Sequence, residues 1–316
     1  MRIIRHPTAP PPEARGAVVA IGNFDGIHLG HQAVIGIAQE RAQAIGAPAG
    51  IVTFEPHPRS VFNPGTPPFR LTPFRVKAQL LRRLGLDFMI DLHFDLAFAA
   101  RSAEDFVREI LARDLAIRHA VVGYDFVFGN RRRGTAALLT EMGSEHGFDV
   151  TTVEPVQAGG GAIYSSTRIR ELLEAGKPRE AASLLGRFWE IDGRVEHGDH
   201  RGRTIGFPTA NLLLADYLRP AAGVYAVRAA FGRNGRWWKA VANFGRRPTF
   251  GGSDLRLEAH LFDFAGDLYG KHLRVQLVDY IRPEQKFSGL EALKAQIATD
   301  AEAARQILAA EPAPGG

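Results

Sequence analysis

GNFDGIHLGH, Gly22 to His31, lies between an apolar run, AVVAI (17–21), and a helical pattern, HQAVIGIAQERAQAI (31–45). A strand, a glycine-containing turn and a helix start meet here. Such a helix N-terminus presents unpaired N–H groups and the positive end of the helix dipole, and so favours an anion. His28 and His31 are three apart, so on one helical turn both imidazoles can face the same side. Gly30 leaves room for a phosphate between them, and two imidazoles can donate hydrogen bonds to a phosphoryl group as charge builds on it. Neither G-x-G-x-x-G nor G-x-x-x-x-G-K-[ST] occurs. Two other readings stand beside the phosphate site. A histidine at a helix start is commonly a cap, and two histidines with Asp25 nearby suit a metal, although no clear third ligand follows.

Working outward, the first half alternates strand and helix. Apolar runs at 17–22, 50–54, 88–92, 119–123 and 149–153 are separated by helical patterns at 29–45, about 74–85, 102–116 and about 135–147. Continuous apolar strands between helices predict a parallel sheet covered on both faces. Ser102 with Asp105 resembles a capping box. TRIRELLEAG closes this half, with Ser165, Ser166 or Thr167 as cap and Gly176 as stop.

After about residue 185 the period changes to two, in GVYAVRAAF, RWWKAVANF, LRLEAHLFDF and LRVQLVDYI, with Asn234-Gly235 as a hairpin turn. This predicts an antiparallel β-barrel followed by a helix over 289–309. The two domains are expected at 1–184 and 185–316.

The totals narrow the function. A chain of 316 residues with net charge +5 and 45% apolar content reads as a folded protein with two cores. The chain has no cysteine, which excludes disulfides, thiolate metal sites and cysteine nucleophiles. No apolar run approaches a membrane span, and the N-terminus does not read as a secretory signal, so a cytoplasmic location is expected. Basic chains meet polyanions, but the arginines are dispersed and only Arg131 to Arg133 form a dense run, which reads as a solvated loop. Small phosphorylated ligands are therefore expected as partners, not nucleic acid or membrane; the oligomeric state stays open.

The string GNFDGIHLGHQ carries an H-x-G-H signature and resembles that of the nucleotidyltransferases, in the branch of the prokaryotic bifunctional riboflavin kinase/FAD synthetases. The resemblance continues through TFEPHP (53–58), GYDFVFG (123–129), YSSTRIRELL (164–173), RGRTIGFPTANL (201–212), NFGRRPTFGG (243–252), LEAHLFDF (257–264) and IRPEQKFSGLEALKAQI (281–297). It implies a Rossmann-like N-terminal domain whose strand order reverses between the strands at 17–22 and 119–123, with ligands at that switch point. It also implies a riboflavin kinase barrel. The implied reactions are riboflavin plus ATP giving FMN and ADP, then FMN plus ATP giving FAD and pyrophosphate, both with Mg²⁺.

For adenylyl transfer the resemblance implies His28 and His31 on the ATP phosphates, with Gly22, Asn23, Phe24, Asp25 and Gly30 around the nucleotide. Ser165, Ser166, Thr167 and Arg168 suit the leaving pyrophosphate. Glu55, Asp125 and Phe126 are assigned to the flavin side. Asn23 and Asp25 have an alternative role in shaping the turn. Tyr164 departs from the family, which more often has a small aliphatic residue there.

For phosphorylation, Gly202, Arg203 and Gly206 suit phosphate, and Thr209 and Asn211 suit Mg²⁺-nucleotide or ribityl hydroxyls. Arg256, Glu258 and His260 share one strand face. An outward glutamate is usually a solvated charge; the resemblance implies that Glu258 is a general base for the ribityl hydroxyl. The alternatives are an enzyme that retains one activity, or a flavin- or nucleotide-binding regulator acting on RNA, with salt-sensitive binding and no turnover.

Overall fold

A computed structural model of the chain describes residues 1–5, 10–156, 163–196, 206–232, 235–246 and 255–311. The chain forms two compact units, Met1–Pro67 with Thr72–Ser165, and Pro68–Leu71 with Ser166–Gly316.

The first unit holds a parallel six-stranded sheet. In chain order its strands are β1 (Arg2–Ile4), β2 (Val18–Ile21), β3 (Ala49–Glu55), β4 (Phe88–His93), β5 (His119–Gly123) and β8 (Asp149–Val153). A two-residue pair, β6 (Val127–Phe128) and β7 (Gly134–Thr135), stands apart from it. The spatial order is β1-β4-β3-β2-β5-β8, so the winding direction reverses between β2 and β5, the switch point expected from the sequence. Five of the six strands match the predicted apolar runs. The sixth, β1, adds an edge that three residues of RII could not announce.

The central strands are apolar on both faces because both faces are covered. Val19, Ile21, Val52, Ile90, Ala120 and Val122 form one core with Phe106, Val107, Leu139 and Met142. On the other face α1 (Leu29–Ala44) buries Ile35, Ala38 and Ala42 against β2, β3 and β5. In register with Phe88, Gly50 has no side chain because the Phe88 ring lies over the space a Cβ would take. The described residues of this unit also form α2 (Pro58–Phe62), α3 (Phe74–Arg83), α4 (Leu96–Ala99), α5 (Ala103–Asp105) and α6 (Ala136–His146). Ser102 Oγ accepts from the Asp105 amide at 2.9 Å, the expected cap. Beyond α5 the predicted α-helix widens: Phe106–Asp114 runs as a π-helix, closed by Leu115 N–H on the Ile110 carbonyl. The wider turn keeps Phe106, Val107, Ile110 and Leu111 on one buried stripe.

The second unit opens with α7 (Ser166–Glu174) and α8 (Pro178–Leu185). Gly176, at φ +72°, ends α7 as expected. No helix was expected at α8, yet its punctuation is in the sequence: Pro178 at the first turn and Gly186, at φ +72°, after the last. Six antiparallel strands then close a barrel: β9 (Trp189–Glu196), β10 (Ala210–Leu213), β11 (Gly223–Phe231), β12 (Trp238–Arg246), β13 (Leu255–Leu261) and β14 (His272–Arg282), ordered β10-β13-β12-β11-β14-β9. The expected β11–β12 hairpin forms; Asn234 of its turn lies outside the described residues. The terminal helix α9 (Leu290–Ala310) seals the outer side of β11, β12 and β14 through Ala304 and Leu308. Arg282 and Asp300 lock it with two bonds of 2.9 and 2.7 Å. No helix among the described residues is long and apolar enough to cross a membrane.

Candidate functional sites

At the switch point, β2 and β5 run parallel, so the segments that leave Ile21 and Gly123 emerge at the same carboxyl edge. From β2 the chain turns through Phe24, Gly26 and Ile27, all at positive φ (50°, 89° and 44°), and enters α1. For Phe24 and Ile27 this is an uncommon backbone region. Both side chains are buried, so packing holds the turn in that shape.

His28 is the N-cap of α1. Its Nδ1 accepts the amide hydrogen of His31 at 3.2 Å. A neutral His28 that accepts at Nδ1 carries its proton on Nε2, which leaves that atom as a donor. The His28 and His31 rings stack, with centroids 3.6 Å apart and 16° between planes. Phe24 meets His31 edge-on at 5.3 Å. The two imidazoles therefore do share one side, with His28 only 6% exposed. A Cβ at Gly30 would stand 3.2 Å from both the His28 ring and Tyr164 Cβ, so glycine at this position serves close packing. Tyr164, the departure noted in the sequence, packs on this turn.

The remaining assigned residues of the turn divide by atom. Gly22 N–H joins the Val52 carbonyl. Asp25 is 2% exposed and accepts from Thr72 N at 2.9 Å and Thr72 Oγ1 at 3.2 Å. Thr72 Oγ1 in turn accepts from Gly26 N at 2.8 Å. Asp25 thus shapes the turn through its side chain. Asn23 takes part through its carbonyl, which accepts from Lys77 Nζ at 2.8 Å. Lys77 went unnoticed in the sequence, because a lysine in FRVKAQLLRR reads as one more exposed charge.

Glu55 ends β3 with its carboxylate 3.8 Å from Lys77 Nζ. After β5, Asp125 is exposed, and Phe126 stacks on Phe128 at 5.3 Å. A second group missed in the sequence lies near the ends of β3 and β4: Phe54, Phe62, Phe94, Phe98 and Phe106 form a chain of ring contacts. Phe62 is its outermost member, 57% exposed. The five are scattered over more than fifty positions, so no local motif joins them.

Ser165 closes the first unit, and Ser166, Thr167 and Arg168 open the second as the first turn of α7. Arg168 is exposed and bonds Glu171 at 3.1 Å.

In the barrel, the expected faces of β13 separate. Leu257, Ala259 and Leu261 are buried, whereas Arg256, Glu258 and His260 are only partly so. Glu258 stands opposite Asn211 of β10 on one side and Asn243 of β12 on the other. Directly opposed residues share a face, so the three polar side chains form one row. Asn211 is 6% exposed. Thr209 precedes β10, and His260 Nδ1 bonds the Pro208 carbonyl at 2.8 Å while its ring meets Phe207 edge-on. His260 thereby fixes the FPT segment beside Glu258. Gly206, at φ +90°, begins the described part of that segment; Gly202 and Arg203 lie outside the described residues.

Among the described residues, no group of three or more His, Cys, Asp or Glu is placed to hold a metal ion. The donors near Glu258 are neutral oxygens from Thr209 and Asn211. Such a set fits Mg²⁺, which keeps most of its shell as water and phosphate oxygen.

Two family models match the chain: FAD synthetase over residues 11–168 and riboflavin kinase over 185–308. The chain is 43% identical over 309 residues to the bifunctional riboflavin kinase/FMN adenylyltransferase of Escherichia coli (strain K12), covering 97% of this chain and 98% of the relative. It is also 43% identical to the protein of that name from Pseudomonas fluorescens, covering 94% and 95%. Among solved structures, one described as a macrolide-efflux protein from Streptococcus pneumoniae matches with a TM-score of 0.85 at 34% identity, over 96% of this chain and 99% of that one.

Proposed function

The chain belongs to the bifunctional riboflavin kinase/FMN adenylyltransferase family, and on that premise we propose how its residues divide the two reactions. The protein phosphorylates riboflavin with ATP to FMN and ADP, and adenylylates FMN with ATP to FAD and pyrophosphate. We assign the second reaction to residues 1–184 and the first to 185–316. Its working partners in this reading are small molecules in the cytoplasm, where ATP is supplied, not nucleic acid.

In adenylyl transfer an oxygen of the FMN phosphate attacks the α-phosphorus of ATP, and the bond to the β-phosphate oxygen breaks. That oxygen is already a competent nucleophile, so no side-chain base is required. The protein must bring two anions into line and stabilise the charge that develops. The observation that carries this assignment is the stacked His28–His31 pair at the N-terminus of α1. Nε2–H of His28, a donor on His31 and the helix end all favour a phosphate there. Gly22, Asn23, Phe24, Asp25 and Gly30 give that turn its shape. The hydroxyls of Ser165, Ser166 and Thr167 and the Arg168 guanidinium suit the departing pyrophosphate. On the flavin side we place Glu55, Asp125 and Phe126. The exposed Phe62 at the edge of the phenylalanine chain offers a flat apolar surface for the isoalloxazine ring.

In the kinase reaction Glu258 accepts the proton of the ribityl 5′-hydroxyl as that oxygen attacks the γ-phosphorus, and ADP leaves. Thr209 and Asn211 would hold the Mg²⁺ that accompanies the nucleotide and neutralises phosphate charge. Gly202, Arg203 and Gly206 are assigned to the phosphates of that ATP.

The test is direct. Protein incubated with riboflavin and Mg-ATP is separated by chromatography. FMN, FAD, ADP and pyrophosphate should all form; riboflavin recovered unchanged would contradict the assignment.

A further inference from the structure

Lys77 is a fully buried cation that the two reactions above do not use. Its side chain is 0% exposed. From α3 the ammonium reaches three acceptors at the carboxyl ends of β2 and β3: the Asn23 carbonyl at 2.8 Å, Thr53 Oγ1 at 3.2 Å and Glu55 Oε2 at 3.8 Å. Thr53, itself fully buried, uses its hydroxyl hydrogen on the same Asn23 carbonyl, at 3.3 Å. The last peptide carbonyl before Phe24 is therefore gripped from two directions. The ammonium donates hydrogen bonds to the Asn23 carbonyl and Thr53 Oγ1, and the Glu55 carboxylate is its ion-pair partner.

This arrangement is a costly way to fill space. Taking an ammonium out of water is expensive, and a buried ion pair is often no more stabilising than well-packed apolar residues in place of both partners. Met, with nearly the same length, would pack the same cavity. What Met would not do is hold the Asn23 carbonyl, from which the positive-φ turn at Phe24 departs toward His28. Nor would it balance the Glu55 charge at the same edge.

We propose that Lys77 is a positioning residue for adenylyl transfer: through the Asn23 carbonyl it sets the turn that presents His28 and His31, and through its ion pair it holds the Glu55 carboxylate at the end of β3. Fully enclosed, it does not touch substrate. This inference rests on the assignment of the turn to adenylyl transfer. A misplacement of about 1 Å in such a site lowers a rate by about 100-fold, so a gripped carbonyl at the base of the turn is a sensitive point of control.

The experiment compares Lys77→Met and Thr53→Val in the full chain. Thr53→Val keeps shape and removes the hydroxyl that bridges Lys77 and Asn23. FAD synthesis from FMN should fall about 10- to 100-fold in kcat with KM for ATP and FMN little changed. Riboflavin phosphorylation by the same preparations should be unchanged, while the melting profile of the first unit falls, because each variant leaves a buried polar group unmet. A purely structural lysine would lower the melting profile equally but leave kcat per folded molecule intact. That pattern, or unchanged kcat in either folded variant, overturns the proposal. If Lys77→Met does not fold, Thr53→Val alone decides. If the unsubstituted chain makes no FAD from FMN, the assigned function fails first and this inference with it; unsubstituted activity with unaffected variants removes the inference alone.

Discussion

The amide hydrogen of His31 is held by Nδ1 of His28, 3.2 Å away, and the two imidazoles stack at 3.6 Å. One histidine thus caps the helix through Nδ1 and stacks its ring on the other. His28→Asn separates those roles, because asparagine is a good N-cap without an imidazole. Helix stability should change by less than about 1 kcal/mol, while FAD formation from FMN falls about 10²- to 10³-fold. FMN should still accumulate from riboflavin. Flavin chromatography beside a thermal melt reads all three.

Glu258 carries the opposite expectation. In Glu258→Gln, FMN formation from riboflavin should fall by about 10²- to 10⁴-fold, the usual range for a general base. FAD should still form when FMN is supplied. The glutamine keeps the size and polarity of the side chain opposite Asn211 and Asn243, so barrel stability should hold in the same melt.

Thr72 is the partner that closes the turn between β2 and α1. Thr72→Val removes the oxygen that accepts from Gly26 and the hydroxyl that donates to buried Asp25. The first unit should lose about 1–3 kcal/mol, seen as faster hydrogen exchange at Gly26. All three tryptophans, Trp189, Trp237 and Trp238, lie in the second unit. The tryptophan-fluorescence unfolding curve of that unit should therefore not move.

His119 gives a pH dependence. At the start of β5 its ring is buried with Nε2 2.7 Å from Thr151 Oγ1. Burial lowers its pKa below 6.5, with Arg41 adding to the effect and Asp149 opposing it. The folded state therefore binds the proton less readily than the unfolded chain. Stability is fully present above pH 6.5 and is lost as pH falls through and below that value. His119→Gln should flatten this part of the stability curve of the first unit, measured by denaturant unfolding from pH 7.5 downward.

Much of this was legible in the chain. The sheet declared itself because its central strands, buried on both faces, are nearly continuous apolar runs, and the barrel because strands with one polar face alternate. His28 was legible as a cap, and Glu258 as one of a polar face. What escaped had no local signature. β1 is three residues long, and its pairing with β4 is a long-range fact. α8 hid because its proline reads first as a breaker. Lys77 looks exposed in sequence and becomes buried only where α3 crosses the ends of β2 and β3. The phenylalanine chain assembles from four separate segments. In each case the deciding contact is tertiary, and neither periodicity nor composition carries it.

The central claim is that two chemically independent sites share one chain. It is tested most directly by mixing the two single variants, His28→Asn and Glu258→Gln, with riboflavin and Mg-ATP. Alone, the first should stop at FMN and the second should leave riboflavin untouched. Together they should make FAD, since FMN released by one is adenylylated by the other. A mixture that yields no FAD, from variants each shown to be folded, would contradict the account.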